Sequence, residues 1–156
     1  MKRSRQEKYP ETKTFHYYNA NPKNRITGDC EFRAISLGLN QDYNITVMEM
    51  AELMCKTGYA LNDVKGEAKY LEMKGWIKHK QPKKPNGTKY TGREFCELLN
   101  KDVSMIGKRV IAHIGGHHVV CIKEVDDRHG FFKVHDIWNS TDGCIGNYWV
   151  EDYHRF

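Results

Sequence analysis

The hydrophobic pattern changes period once, near residue 107, and this constrains the fold more than any other feature. Before that point apolar residues recur every three or four positions: Phe32, Ile35 and Leu39; Val47, Met50, Ala51 and Met54; Val64, Ala68 and Leu71; Phe95, Leu98 and Leu99. After it they form short continuous runs, Val110-Ile111-Ala112-His113-Ile114, Val119-Val120-Cys121-Ile122 and Phe131-Phe132-Lys133-Val134, separated by Gly115-Gly116 and by 126–130. Helices first and strands after predict an α+β fold, with a helical N-terminal part packed on a C-terminal antiparallel sheet.

Local signals sharpen this. Gly28-Asp29-Cys30 opens a helix of about ten residues that is apolar on most sides, so the helix belongs inside the domain. Asp29 has the character of an N-cap, which puts Cys30 on the first turn. Gly58 is a stop for the second helix, and the third ends near Gly75. Pro82, Pro85 and Asn86-Gly87 make 78–92 an exposed loop, and Thr91 with Glu94 forms a capping-box pattern before Phe95. Residues 15–27 read as an extended segment entering a loop. The last strand is centred on Tyr148-Trp149-Val150. With 156 residues, the chain has the length of one domain, taken as 15–156 behind a flexible basic arm at 1–14.

The net charge of +5 is unevenly placed. Residues 1–13 carry five Lys/Arg against two Glu, and 78–93 carry six Lys/Arg and no acid, so the rest of the chain is net acidic. A nucleic-acid partner wants a basic face on the folded body, and is therefore not expected; the loop 78–93 suits an acidic partner. No apolar run has the roughly 18 residues a membrane span needs, and no apolar stretch follows the basic start as in a secretory signal. The five cysteines, Cys30, Cys55, Cys96, Cys121 and Cys144, include no pair two residues apart. This is the usage of reduced thiols in a cytoplasmic protein. Histidines are numerous, but no helical His-x-x-x-His and no cysteine pair supports a closed metal site, so neither metal nor cofactor is expected.

Three pieces carry chemistry. Cys30 sits where unpaired N–H groups and the helix dipole favour a thiolate. Gly115-Gly116-His117-His118 brings an imidazole to the start of a strand, where it can take a thiol proton and return it to a leaving amine. Asp136 ends the next strand and can fix that imidazole's tautomer. A hairpin turning at 126–130 brings 117 and 136 together. His117 and His118 face opposite sides of a strand, so only one can serve; Asn139 competes with Asp136 for the orienting role.

The order helix-start Cys, strand-start His, strand-end Asp resembles the papain-like cysteine peptidase superfamily. Gly28-Asp29-Cys30-Glu31-Phe32-Arg33-Ala34 is similar to the nucleophile motif of ovarian-tumour-type deubiquitinases. Asp29-Cys30 and His117-x-Val-Val are similar to the bacteriocin-leader double-glycine peptidases. The resemblance covers about 24–40 and 113–150. It implies Cys30 as nucleophile, His117 as base and Asp136 as orienting acid, with His118 and Asn139 as the alternatives. It also implies Asn24, six residues before Cys30, as oxyanion donor where the family usually has Gln, beside the Cys30 backbone N–H. The expected activity is a thiol hydrolase cleaving a peptide or isopeptide bond of a protein or peptide substrate, in a host-modifying or phage-like setting. The competing expectations are a binding module on the same fold without turnover, and a related thiol transferase or deamidase.

Overall fold

Strands carrying apolar residues at every position have no face to give to water, and here both faces are covered. The computed structural model describes residues 3–126 and 129–151. Over these residues it is a mixed α+β protein in which five helices surround a six-stranded sheet. Asp127 and Arg128 of the expected turn, the first two residues of the basic arm and 152–156 lie outside the described residues.

In chain order the elements are α1 (Arg5–Lys8), β1 (Phe15–Tyr17), α2 (Cys30–Leu39), α3 (Tyr43–Thr57), α4 (Val64–Met73), β2 (Trp76–His79), α5 (Gly92–Asn100), β3 (Val110–Ile114), β4 (His118–Glu124), β5 (Phe132–Asp136) and β6 (Ile145–Glu151). The sheet order is β1-β5-β4-β3-β6-β2. Every pairing is antiparallel except β1 with β5, where Tyr17 stands beside Asp136.

The α+β class holds, and two parts of the expectation need correction. The sheet is not wholly C-terminal or antiparallel, because β1 and β2 come from the helical half and form its two edges. Nor is it a two-layer packing. Ile111, Val119, Cys121 and Trp149 pack with Ala34, Ile35, Met50, Leu53 and Leu71 of α2, α3 and α4. Val110, Ala112, Ile114, Val120 and Ile122 pack on the other side with Phe95, Cys96 and Leu99 of α5. Alternate residues of one strand thus serve two cores, which is why the strands read as unbroken apolar runs.

The basic segments are also more structured than a tail and a loop. Ser4 caps α1 in a capping box with Glu7, and the Arg5 Nε donates to the Ile137 carbonyl at 2.7 Å. Lys78 and His79 belong to β2, Lys83 bridges to Lys89, and Lys84 pairs with Glu94. The Thr91–Glu94 capping box forms as expected at the start of α5.

Candidate functional site

α2 begins with its first turn over the ends of β4 and β5. Its N-cap backbone position is Asp29, but the Asp29 carboxylate makes no cap bond. It accepts instead from Arg33 Nε at 2.8 Å, Tyr43 Oη at 2.7 Å and Asn21 Nδ2 at 2.9 Å. Arg33 then reaches across to Asp136, Nη1 to Oδ1 at 2.7 Å. All three charged side chains are buried. A guanidinium with two carboxylates and a fork of donors satisfies charges that would otherwise be costly to bury. Arg33 was not singled out by the sequence reading. The signal was present: an arginine inside an otherwise apolar helix needs carboxylate partners, and Asp29 stands one turn before it.

Asp136 is held on its other side as well. Its Oδ1 also accepts from the Ile137 N–H at 2.7 Å, and its Oδ2 lies 2.5 Å from His118 Nε2. His118 in turn hydrogen-bonds with the Cys30 thiol. With Nε2 engaged by Asp136, Nδ1 is the ring nitrogen left for Cys30. Cys30, His118 and Asp136 therefore form one connected chain of polar contacts, buttressed by Arg33. The Trp138 ring lies with its centroid 5.0 Å from that of His118 and covers part of it.

The imidazole in the chain is His118, not the expected His117. The strand pairing explains this. Cys121 stands opposite His135 and Ile122 opposite Val134, so even-numbered positions of β4 face even-numbered positions of β5. His118 and Asp136 consequently share one side of the pleat, which accounts for their contact; Cys30 and Arg33 come from α2, which packs on the side of Val119 and Cys121, and they meet the pair where β4 begins and β5 ends. In addition, Ile114 pairs directly with His118, which leaves 115–117 as the hairpin loop. Gly115 and Gly116 both have positive φ (62° and 97°), a conformation that a residue with a Cβ rarely adopts. His117 is the exposed last residue of that loop. Asn139 is not in the chain either: its Oδ1 accepts from the Thr141 N–H and hydroxyl.

Asn24 also departs from expectation. It lies in an exposed turn with φ at 54°, its Oδ1 accepts from Asn19, and it lines neither cavity described below. The spacing of six residues is met in the sequence, but the turn holds the side chain elsewhere. Among the first-turn amides of α2, which lack intrahelical partners, the Cys30 N–H remains a donor at the site.

The electrostatics favour charge separation. Burial pushes the Cys30 thiol up, but hydrogen bonds with His118 and the Val119 backbone and the charges of His118 and Arg33 outweigh it, so the thiol ionises below its ordinary range. Burial pulls His118 down, but the Asp136 and Cys30 contacts prevail and lift it to about 9. Both shifts run in the direction of a thiolate beside an imidazolium. Cys96 and Cys121 show the contrast: burial without such partners pushes both thiols up to about 12.

Two cavities flank the pair. One, of about 350 Å³, is lined by Cys30, Glu31, Glu67, His113 and His117 among others. The second, of about 540 Å³, is lined by His117, His118, Trp138, Asn139 and Ser140 among others. His117 borders both; Cys30 lines the first and His118 the second. Among the described residues, the buried side-chain oxygens without a hydrogen-bond partner are Glu31 Oε1 and Ser140 Oγ, one in each cavity's lining. The described residues include no group of three or more His, Cys, Asp or Glu placed to hold a metal ion. No helix among them is long and apolar enough to cross a membrane. No protein-family model, curated protein or solved structure matches the chain.

Proposed function

We propose that this chain is a papain-like thiol hydrolase acting on a peptide or isopeptide bond through Cys30, His118 and Asp136. One observation carries the reading: a helix-start cysteine hydrogen-bonds to a histidine whose other ring nitrogen is held by a buried carboxylate. In the proposed reaction the Cys30 thiolate attacks the substrate carbonyl carbon, and the Cys30 N–H steadies the oxyanion. The carbon–nitrogen bond then breaks as the His118 imidazolium gives its proton to the departing amine. A thioester remains. Water attacks it, neutral His118 takes the water's proton, and the carbon–sulfur bond breaks to release a carboxylic acid and restore the thiolate. Asp136 keeps the imidazole in the correct tautomer throughout. The chemistry needs Cys30 as a free thiol, which fits a reducing, cytoplasmic setting.

The test is cleavage of a proteome-derived peptide library read by mass spectrometry, with labelling of Cys30 by a thiol-directed electrophile in parallel. Cys30→Ala and His118→Ala are expected to lose at least 100-fold in turnover. His117→Ala is expected to retain most of the rate. The reverse pattern, with His117 essential and His118 dispensable, removes the proposed assignment. Labelling at Cys55 or Cys144 in preference to Cys30 removes the activated thiol.

A further inference from the structure

The cavity beside Cys30 has an unusual lining for a cleft that must receive a substrate. Glu31 follows the nucleophile directly, is 8% exposed, and has an Oε1 with no hydrogen-bond partner. Glu67 of α4 is 2% exposed and lines the same cavity, its Oε1 lying 2.9 Å from His113 Nε2. Among the described residues, no lysine or arginine lines it; Arg33, the nearest cation in sequence, turns away to Asp29 and Asp136. The rest of the lining includes Phe32, Leu61, Val64 and Val119, which suit an aliphatic stem. Glu67 has His113 as its partner, whereas Glu31 Oε1 has none, so a buried carboxyl in a mostly apolar slot is left without a counter-charge from the residues around it.

We propose that this cavity is a specificity pocket for a cationic side chain, lysine or arginine, next to the bond being cleaved, with Glu31 and Glu67 as its recognition residues. The inference rests on Cys30 being the reactive thiol of the proposed hydrolase. A volume of about 350 Å³ lies at the small end of ligand pockets and matches a single long side chain better than a folded segment. Burial and the neighbouring charges of Glu67, Cys30 and Asp63 raise the Glu31 carboxyl to about 9 in the free protein. A bound ammonium or guanidinium would reverse that balance and allow Glu31 to ionise against it.

The experiment compares modification of Cys30 by four methanethiosulfonates of matched length, carrying an ammonium, a guanidinium, a neutral or a sulfonate group. It is read by mass spectrometry at pH 8 on the full chain. The exposed Cys55 and Cys144 in the same molecule serve as references for reagent reactivity and for overall charge. Relative to the neutral reagent, a cationic reagent is expected to modify Cys30 at least tenfold faster than it modifies Cys55. This preference is expected to fall at least fivefold in Glu31→Gln and in Glu67→Gln. The faster cationic arm identifies ammonium or guanidinium as the favoured head group. A reactive Cys30 whose charge preference is unchanged in both variants overturns the pocket and leaves the hydrolase reading standing. A Cys30 that no reagent modifies faster than Cys55 overturns both.

Discussion

Glu31 and Cys30 are adjacent in sequence and similarly enclosed, yet their protons behave oppositely. Cys30 has partners that prefer its charged form, and Glu31 has none, so burial and like charges carry its carboxyl up to about 9 from an ordinary 4.5. This has a consequence for stability. Between those two values the folded protein keeps a proton that the unfolded chain has released, so stability contributed at low pH is lost as pH rises through that window. Glu31→Gln removes the effect. Its stability is expected to match the parent near pH 4 and to exceed it at pH 8 by several kcal/mol, at about 1.4 kcal/mol for each pH unit of that window. Urea unfolding midpoints at the two pH values measure this, and a gap that does not widen from pH 4 to pH 8 would show that Glu31 has a counter-charge. His118 titrates within the same window but is common to both proteins, so it cancels in the difference. At this scale the sequence exposed Cys30 and Asp136 through their places at a helix start and a strand end. It did not resolve His117 from His118, because that choice depends on the parity of a hairpin register that no single residue states.

The same division between local and long-range information appears among the elements. α2 was legible because its apolar residues surround it and a Gly-Asp pair precedes it. β2 was not: Trp76-Ile77-Lys78-His79 buries only its first residue and runs along an edge, so it lacks both alternation and an apolar run. What seats α2 on the sheet is closeness rather than pattern. A Cβ at Gly38 would lie 2.7 Å from Cδ1 and Cγ1 of Ile111, itself fully buried on β3, and 3.4 Å from the Trp76 ring. Alanine is better in a helix than glycine by roughly 1 kcal/mol, but this contact outweighs it. Gly38→Ala is expected to destabilise by about 1–3 kcal/mol, the usual range for overpacking a core. Ile111→Val removes Cδ1 and should recover part of the loss when combined with it. Thermal unfolding of the two single variants and the double variant decides this. A more stable Gly38→Ala protein would mean that α2 sits further from β3 than described.

Across the whole molecule, the site is a junction between two regions far apart in the chain. Cys30 and Arg33 arrive on α2, while His118 and Asp136 arrive on the sheet, and packing alone would let the helix slide or tilt without changing the area buried. The Asp29–Arg33–Asp136 chain removes that freedom, since a planar guanidinium meets both carboxylates at 2.7–2.8 Å in only one arrangement. Arg33→Met keeps much of the side-chain volume but leaves two carboxylates buried without their cation. The expected cost is about 3–5 kcal/mol at pH 7, as when one partner of a buried ion pair is removed. In the parent protein, burial tends to raise the Asp29 carboxyl, but Arg33, Tyr43 and Asn21 together hold it below its ordinary range. That contribution is present above the unfolded value and is lost as pH falls through the folded one, so the gap between parent and variant should shrink under acid. Asp29→Asn combined with Arg33→Met removes one of the stranded charges and should recover at least about 1 kcal/mol of the loss, a coupling of ordinary size for groups in one network. The stabilities of the four proteins in this cycle come from urea unfolding at pH 7. A cost below about 1 kcal/mol for Arg33→Met, with no recovery in the double variant, would mean that apolar packing alone registers the helix against the sheet. The alignment of sulfur and imidazole would then owe nothing to Arg33.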